Sequence, residues 1–517
     1  MPHFGSSTII MRLKSRLLKP FARLVARNIA RWSADATAAQ DQVFRYLIRK
    51  GRQTAFGREH GFDKIKNYEA FRAQVPLRDY EALRPWIERI KQGERHVLWP
   101  GLPKYFAKTS GTTSGVKYIP LTQDSMPNHF GTARNALFNY YAQTGNGRWL
   151  DGKMIFLSGS PELETVGGIP TGRLSGIVNH EVPAWLRTNQ LPDYATNCME
   201  DWEQKLEAIV SETLSQDMRL ISGIPPWVQM YYERLLERSG KRFIRDIFPN
   251  FEVFVYGGVN FEPYRASLEA LVGKRLDSVE TYPASEGFIA FQDSQTEPGL
   301  LLNALSGIFF EFVPHEEVFG ENPTRLSLRE IELGVNYALI INNNAGLWAY
   351  NLGDMVQFVS KNPYRLVVSG RVKHFISAFG EHVIGKEVDE AMLAAANKCN
   401  LNIVEFTVAP QVTPPEGGLP YHEWFVEFDR QPDDLQRFAR LLDEQMVKQN
   451  IYYEDLIKGK ILQPLKIRPL QRDAFRSYMK SQGKLGGQNK VPRLSNDRNI
   501  AEALAPWQLR EGRNSEK

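Results

Sequence analysis

The chain has 517 residues, of which 42% are hydrophobic and 24% are charged, and its formal net charge is +5. A chain of this length is expected to form at least two domains, and the composition is that of a globular protein. The small net charge argues against a protein that coats nucleic acid, and two widely separated cysteines, Cys198 and Cys399, exclude a disulfide framework. We therefore expect a cytoplasmic protein with no nucleic-acid partner.

The N-terminal segment is strongly basic. Residues 12–31 carry seven lysines and arginines, and no acid precedes Asp35. Charges interrupt every apolar run, so the segment is neither a signal peptide nor a membrane span. It is either an amphipathic helix on an anionic membrane or a helix whose apolar stripe packs on the protein. No integral membrane segment is expected elsewhere, because no run reaches the ~18 apolar residues that a span needs.

Residues 36–100 show helical periodicity and are followed by the stretch AKTSGTTSGVKYIPLT at residues 107–122. Seven small residues, Thr109 to Gly115, predict a loop whose backbone amides and hydroxyls can surround a phosphate. Lys117 can add positive charge there or extend into solvent. The G-x-x-x-x-G-K-[ST] pattern is absent, so this is not a P-loop NTPase. A flexible linker has a similar composition, but the apolar continuation YIPLT favours a loop in a folded domain.

Four strand-like runs then alternate with helical patterns: KMIFLSGS, MRLISGIP, FEVFVYGG and DSVETYPASEG. This alternation predicts an α/β fold with buried strands. Each run ends in small residues, and ligands of open α/β sheets bind beyond the carboxyl ends of the strands. We therefore expect these ends to meet at one crevice.

The run TYPASEG at residues 281–287 combines groups that can bind a nucleotide. Tyr282 can stack on a purine, Ser285 can donate to a phosphate oxygen, and Glu286 can hold Mg²⁺. An ordinary turn with a buried tyrosine is the structural alternative. Ser285 also lies in P-x-S-x-G, close to the G-x-S-x-G nucleophile elbow of hydrolases, but Pro283 replaces the glycine that the elbow needs.

A third stretch, AYNLGDMVQF at residues 349–358, places Asp354 after a glycine between two strand-like runs. A carboxylate there can accept hydrogen bonds from a ribose diol, or it can simply cap a turn. A domain boundary is predicted near residue 371, where a Ser-Gly break and a basic cluster precede a new helix. The prediction is thus a large domain of sheets flanked by helices at residues 1–370 and a smaller, mobile α+β domain at residues 371–517.

The order of these elements resembles that of the adenylate-forming superfamily of acyl-CoA synthetases, peptide-synthetase adenylation domains and luciferases. The chain resembles more closely the auxin-responsive acyl acid–amido synthetases, a branch first known from plants and also found in bacteria. The resemblance rests on VPLRDYEALRPWIERIKQGE, TSGTTSGVKYIP, YPASEG, YNLGD and GGQNKVPRL, and it extends from about residue 40 to 495. The chain departs from the family pattern at Thr109, where a serine is usual, and at Asn351–Leu352, where an arginine is favoured.

The resemblance implies ATP and Mg²⁺ as cofactors and assigns roles to individual residues. Lys490 and Ser285 would be catalytic, with Ser285 at the α-phosphate and Lys490 reaching the phosphates from the C-terminal domain, and Glu286 would hold Mg²⁺. The implied nucleotide-binding residues are Ser110, Gly111, Thr112, Thr113, Gly257, Gly258, Thr281, Tyr282, Asp354 and Arg371. Without the resemblance, Lys490 would be interpreted as one more exposed lysine of a basic tail.

The implied reaction joins a small-molecule carboxylic acid to an amino acid through an acyl-adenylate, in a protein expected to be a monomer. Two alternatives stay open: a thioester-forming ligase that uses coenzyme A, and a catalytically silent nucleotide-binding protein. The Gln-x-Lys-x-Pro-Arg tail favours the amide branch, and the combination of Ser110, Glu286, Asp354 and Lys490 argues against a silent protein.

Overall fold

The structure is a computed structural model, and it describes residues 14–110, 116–182, 184–199, 201–258, 261–372, 375–376, 383–458, 461–485, 490–495 and 497–509. The chain divides into two compact units. The first comprises Met1–Val259 and Leu271–Val367, and the second comprises Asn260–Ala270 and Val368–Lys517. No sequence feature predicted that residues 260–270 belong with the C-terminal unit. The functional boundary near residue 371 stays a prediction.

The helices of the first unit are α1 (Lys14–Ser33), α2 (Ala36–Gly51), α3 (Ala55–Glu59), α4 (Tyr68–Gln74), α5 (Tyr80–Lys91), α6 (Thr132–Thr144), α7 (Leu174–Glu181), α8 (Ala184–Arg187), α9 (Tyr194–Asn197), α10 (Trp202–Thr213), α11 (Pro225–Ser239) and α12 (Ile244–Ile247). The next helix, α13 (Glu262–Val272), begins in residues of the second unit. The helices of the second unit are α14 (Gly385–Cys399), α15 (Leu435–Gln449), α16 (Ile451–Lys458), α17 (Ala474–Ser481) and α18 (Asn499–Leu504).

Aspartates begin several of these helices. The side chains of Asp35, Asp79, Asp201 and Asp434 each accept a hydrogen bond from the backbone N–H three residues further on. These bonds satisfy amides that have no partner within the helix, which is why aspartate is favoured at the N-cap.

The strands up to the end of the large sheet are β1 (Tyr105–Ser110), β2 (Val116–Leu121), β3 (Lys153–Phe156), β4 (Glu164–Val166), β5 (Ile169–Gly172), β6 (Gln190–Leu191), β7 (Met218–Ser222), β8 (Val253–Gly257), β9 (Asp277–Ala284), β10 (Gly287–Phe291), β11 (Leu300–Leu302), β12 (Ile308–Pro314), β13 (Asn336–Asn343), β14 (Tyr350–Lys361) and β15 (Tyr364–Arg371). The later strands are β16 (Phe375–Ile376), β17 (Val383–Ile384), β18 (Ile403–Gln411), β19 (Tyr421–Phe428) and β20 (Lys466–Leu470).

One large sheet dominates the first unit. Its order in the described residues is β12-β13-β14-β15-β11-β10-β9-β8-β7-β3-β6, and β1, β2, β4 and β5 form a smaller sheet. The five neighbouring strands β6, β3, β7, β8 and β9 are parallel to one another, and β10 is antiparallel to β9. The central parallel strands β3, β7 and β8 are mainly apolar, as expected of strands that helices cover on both faces of a sheet. The predicted α/β fold, with a large N-terminal part and a smaller C-terminal part, is confirmed.

The N-terminal helix α1 packs its apolar stripe on the protein. Ala22, Val25 and Ile29 are buried in one hydrophobic cluster with Ala136 and Phe138 of α6. The basic residues lie mainly on the opposite, exposed side of the helix. Of the two sequence-based alternatives, the structure thus shows the packed helix. None of the helices that the structure describes has both the length and the apolar character to cross a membrane.

The second unit has its own core under a three-stranded sheet. Strand β19 pairs antiparallel with β18 and parallel with β20, and the apolar faces of α14 and α15 pack on this sheet. The C-terminal tail continues the sheet, since the Val408 N–H donates to the carbonyl oxygen of Arg493 at 2.9 Å and the Ser495 N–H donates to the carbonyl oxygen of Val408 at 3.0 Å. Leu494 of this tail is fully buried in the core.

Candidate nucleotide site

The four strands that the sequence predicted to end in small residues are neighbours in the large sheet. Strands β3, β7, β8 and β9 lie side by side and run parallel. Their carboxyl ends therefore meet at one edge, as predicted. Of the predicted site residues, Tyr282, Ser285 and Glu286 lie at or just beyond the carboxyl end of β9, and Asp354 of β14 hydrogen-bonds to Tyr282.

The stretch predicted as the phosphate loop lies in the sequence between β1 and β2, which pair antiparallel. Thr109 and Ser110, expected in the loop, are instead the last residues of β1, where they pair with Lys117 and Val116. This expectation was wrong because the hydroxyl-rich run continues the register of the apolar strand before it. Gly111, Thr112 and Thr113 lie outside the described residues.

Gly257, the last residue of β8, pairs directly with Thr281 of β9. A Cβ atom on Gly257 would come within 2.4 Å of the Thr281 carbonyl oxygen, so no larger residue fits there. The Thr281 hydroxyl donates to the Tyr256 carbonyl oxygen at 2.9 Å, and Gly258 has a φ of +81°. The close approach of the two backbones explains the first glycine, and the left-handed conformation explains the second.

Tyr282 and Asp354 are joined directly although they are distant in sequence. The Tyr282 hydroxyl donates to Oδ2 of Asp354 at 2.7 Å, and both residues are about 7% exposed. Asp354 lies in a bulge of β14: Ala338 pairs with Met355 but Ile340 pairs with Asn351, so Leu352, Gly353 and Asp354 oppose Leu339. Such bulges redirect side chains and are common beside functional sites.

Glu286 follows the end of β9 and is 9% exposed. Its Oε1 accepts a hydrogen bond from the Tyr350 hydroxyl at 3.2 Å, and its carbonyl oxygen accepts one from Nδ2 of Asn343 at 2.7 Å. Among the residues that the structure describes, no cation lies within 4 Å of this carboxylate. A buried carboxylate held by neutral donors keeps its affinity for an incoming cation.

The electrostatics of Glu286 show which charges surround it. Burial raises the pKa of its carboxyl, and the negative charge of Asp354 acts in the same direction. The ammonium of Lys117 is the main charge that opposes this rise in pKa. Asp354 and Lys117 therefore both act on Glu286. We call these three residues, with Tyr282 and Tyr350, the carboxylate cluster.

The structure does not support a hydrolase elbow at Ser285. The backbone of Ser285 is not in the left-handed region, whereas a nucleophile elbow is a strained turn. In the described part of the chain, no histidine hydrogen-bonds to its side chain. Ser285 is half-buried directly before Glu286, at the carboxyl end of the sheet.

Two predicted residues, Arg371 and Lys490, belong to the second unit. Both are exposed, and Arg371 is the last residue of β15. Lys490 lies three residues before Arg493, whose guanidinium binds Asp389 with a distance of 3.0 Å from Nε to Oδ1 and also binds Glu405. The hydroxyl of Thr407 donates to the Pro492 carbonyl oxygen at 2.7 Å. The tail that carries Lys490 is thus fixed at its C-terminal side.

The sequence analysis missed Tyr350 and Asn343 and left the role of Lys117 open. Tyr350 stands within the quoted stretch AYNLGD, but nothing in its spacing indicated that it binds Glu286. Asn343 was hidden in an apolar strand. Only the pairing of distant strands places these side chains together.

With this geometry described, comparison with known proteins assigns the chain. A model described as the GH3 family N-terminal domain matches residues 25–189 and 172–276. The GH3 family central domain matches residues 301–371, and the GH3 family C-terminal domain matches residues 386–499. The chain belongs to the GH3 family.

Named relatives of this GH3 protein match it over nearly its whole length. The indole-3-acetic acid-amido synthetase GH3.3 of Arabidopsis thaliana is 23% identical over 92% of each chain. The jasmonoyl–L-amino acid synthetase JAR4 of Nicotiana attenuata is 23% identical over 90% of this chain and 92% of its own. The resemblance to acyl acid–amido synthetases predicted from the motifs is confirmed.

Solved structures show the same fold. The AtGH3.15 acyl acid amido synthetase in complex with 2,4-DB matches with a TM-score of 0.78 at 16% identity, over 95% of this chain and 96% of that one. A 2-hydroxyisobutyryl-CoA ligase in the postadenylation state matches with a TM-score of 0.59 at 13% identity, over 91% of each chain. At these identities the likeness concerns the fold alone, which amide-forming and thioester-forming enzymes share.

Proposed function

We propose that this GH3 protein is an ATP-dependent acyl acid–amido synthetase. It activates a carboxylic acid as an acyl-adenylate and then transfers the acyl group to the amine of an amino acid. The prediction of an acid–amino acid ligase agrees with the activities named for its full-length relatives. The observation that carries the proposal is the carboxylate cluster, at the sheet edge where α/β proteins bind nucleotides.

The residues of the cluster fit a magnesium nucleotide. Mg²⁺ is usually held by one or two carboxylates together with substrate phosphates, and no cluster of three or more metal-binding side chains occurs in the described residues. The buried Glu286, which has no cation within 4 Å among the described residues, suits this arrangement as the magnesium ligand. When bound, Mg²⁺ would offset the charge of the phosphates.

The other residues act on ATP as substrate. Asp354, held by Tyr282, would accept hydrogen bonds from the ribose hydroxyls, while Gly257, Gly258 and Thr281 would border the adenine with Tyr282. Ser285 would donate to the α-phosphate. Ser110, Gly111, Thr112 and Thr113 would surround the phosphates, as backbone amides in such loops can. Arg371 and Lys490 would act from the C-terminal domain, whose rotation near residue 371 stays a prediction.

The reaction then balances in two steps. A carboxylate oxygen of the acid attacks the α-phosphorus of ATP, the bond to the β-phosphate breaks, and pyrophosphate leaves. The amine nitrogen next attacks the acyl carbon, loses a proton and displaces AMP. Lysine suits the first step because its ammonium is a compact charge that can stabilise the leaving phosphates.

The test is ATP–pyrophosphate exchange in the presence of a panel of carboxylic acids, followed by mass detection of conjugates with each amino acid. Acid-dependent exchange and an acyl amino acid product are expected. A product formed with coenzyme A but with no amino acid would instead establish the thioester alternative. Absence of exchange with every acid, despite ATP binding, would support the silent nucleotide-binding protein.

Monomeric state and cytoplasmic location remain part of the proposal.

A further inference from the structure

The first unit contains a cavity that shares no residue with the carboxylate cluster. It has a volume of about 770 Å³ and is bounded by α1, α2, the start of α6 and the turn between β11 and β12. Its size is in the range of small-molecule sites.

The rim of this cavity is cationic. Arg45 and Arg49 of α2 and Arg134 of α6 line it, and none of the three forms an ion pair within the described part of the chain. Asp124 is the acidic residue of the lining. Its Oδ2 accepts hydrogen bonds from the Tyr46 hydroxyl at 3.2 Å and from Trp99 Nε1 at 3.1 Å.

Lys50 Nζ also lies 4.0 Å from the Asp124 carboxylate. Asp124 therefore already has its own donors and a cation. Arg134 already donates to Oδ1 of Asn135 from Nε at 3.2 Å and from Nη2 at 3.0 Å. Among the described residues, Arg45 and Arg49 are therefore the arginines of the rim that remain to bind an anion from outside the protein.

The floor of the cavity contains a hydrogen-bond acceptor without a donor. Asn344 is 6% exposed, and its Nδ2 donates to the Asp124 carbonyl oxygen at 2.7 Å. Its Oδ1 is buried and has no hydrogen-bond partner in the described residues. A buried oxygen without a donor is unfavourable, so an N–H or O–H donor that reached it from the cavity would be stabilised.

Two further asparagines of the floor are already occupied. Asn303 donates to the Thr132 hydroxyl at 2.8 Å, and Asn128 donates to the Ser306 hydroxyl at 2.8 Å. The apolar part of the wall includes Trp32, Phe291 and Leu305, and the polar Asn28, Gln42 and Asn135 also line the cavity. The cavity thus offers positive charge at its rim, one acceptor at its floor and an apolar wall.

We propose that this cavity binds a small amphipathic carboxylate that carries an N–H donor. The carboxylate binds the arginines of the rim, the donor reaches Oδ1 of Asn344, and the apolar part lies on Trp32 and Phe291. A free amino acid and an N-acyl amino acid share this chemistry. The choice of these two sources rests on the proposed function, since they would be the second substrate and the product.

The floor residues are not suitable for substitution, because they or a neighbouring residue hydrogen-bond to the backbone at and near Glu286. Asn128 accepts from the Phe288 N–H at 2.7 Å, two residues after Glu286. Asn343, next to Asn344, donates to the Glu286 carbonyl oxygen. Arg45 and Arg49 are exposed and contact neither, so the double variant Arg45→Gln/Arg49→Gln should fold and keep ATP–pyrophosphate exchange.

The experiment is calorimetric titration of the full-length protein without ATP, using N-acetyl-L-phenylalanine, L-phenylalanine and N-acetyl-L-phenylalaninamide. We expect at least one of the two carboxylates to bind and the amide, which lacks the carboxylate, not to bind. The Arg45→Gln/Arg49→Gln variant should weaken binding by ~10-fold or more, because charge-assisted hydrogen bonds to arginine are strong. The tighter of the two carboxylates identifies the source.

Two controls make the result decisive. The variant Arg16→Gln/Arg23→Gln loses the same charge on the exposed side of α1, away from the cavity, and should bind normally. Asp354→Ala should also bind normally, because its site is separate. The proposal is overturned if neither carboxylate binds, if both arginine variants lose binding equally, or if only Asp354→Ala loses it. Since no turnover is needed, failure here is distinguishable from absence of exchange.

Discussion

Each unit contains a group of largely buried acids, and the two groups differ in the side chains that bind them. In the second unit Glu405 and Asp389 share the guanidinium of Arg493, which also donates to the Tyr264 hydroxyl at 2.9 Å. In the first unit Glu286 is held by a tyrosine and an asparagine, with Lys117 acting only through space. In the first group one guanidinium contacts both acids directly, whereas in the second group no cation lies within 4 Å of Glu286 among the described residues.

The pKa shifts follow this difference. Burial lowers the pKa of the Arg493 guanidinium, but Glu405, Tyr264 and Asp389 more than reverse this effect and hold it well above its ordinary value. Burial raises the pKa of Glu286, and the nearby charge of Lys117 does not compensate. Charges that stabilise structure are paired, whereas unpaired buried charge at a cleft indicates a ligand.

The largest effect on stability is expected when Arg493, the cation that pairs with two acids, is replaced. Arg493→Met would leave Glu405 and Asp389 buried without their cation, and should destabilise the second unit by about 3–5 kcal/mol. Denaturant unfolding of the full chain, with hydrogen exchange of β18, measures this loss. Arg440→Met, on the exposed side of α15, removes an arginine without an ion pair in the described residues and should change little. Equal stability of the two variants would contradict the structural role of Arg493.

Substitution of Lys490, in the same tail as Arg493, is expected to affect activity and not stability. Lys490→Ala should lower carboxylate-dependent ATP–pyrophosphate exchange by ~10²-fold, the usual scale for losing one charge that stabilises a transition state. Its unfolding free energy should stay near that of the wild type because the residue is exposed. Lys448→Ala, at the exposed end of α15, is the matched control. Wild-type exchange in the Lys490 variant would remove this lysine from the reaction.

Replacing Glu286 should have opposite effects on stability and activity. In the ligand-free protein Glu286→Gln removes a costly buried charge and should raise the unfolding free energy by about 1 kcal/mol. Exchange should fall by ~10- to 100-fold at limiting magnesium, since an oxygen ligand of the metal has lost its charge.

The matched control is Glu311→Gln. Glu311 is fully buried but accepts hydrogen bonds from Arg325 Nε at 2.7 Å and Nη2 at 2.9 Å, so its neutralisation should lower stability. If both variants changed stability in the same direction, the distinction between paired and unpaired acids would fail.

The sequence predicted four strands of the large sheet, β3, β7, β8 and β9, because each belongs to a short strand-like run that ends in small residues. It also predicted Tyr282, Glu286 and Asp354 as candidates, since each stands beside such an end. It could not predict the Tyr282–Asp354 hydrogen bond, because that bond depends on a bulge in β14. Periodicity does not reveal a bulge.

The order of the strands in the sheet could not be predicted from the sequence either. Residues of β13 and β14 come near β9 only through the pairing of the whole sheet, so Asn343 and Tyr350 carried no local signal. Arg493 was noticed only as part of a tail motif. Its role became visible once Asp389, Glu405 and Tyr264, from three separate elements, were seen to converge on it.

The smallest effect is expected from removing single tyrosine hydroxyls. Two variants compare a hydrogen bond that supports ATP binding with one that supports only the stability of the fold. Tyr282→Phe removes the hydroxyl that orients Asp354, and should weaken ATP binding about fivefold, the equivalent of about 1 kcal/mol. Tyr140→Phe removes an equivalent bond at the other end of β9, where the Tyr140 hydroxyl lies 2.5 Å from Oδ2 of Asp277. That variant should lose stability but keep its affinity for ATP in calorimetric titration. If the two variants bound ATP equally well, Asp354 would not need Tyr282 to orient it, and the carboxylate cluster would hold the ribose in some other way.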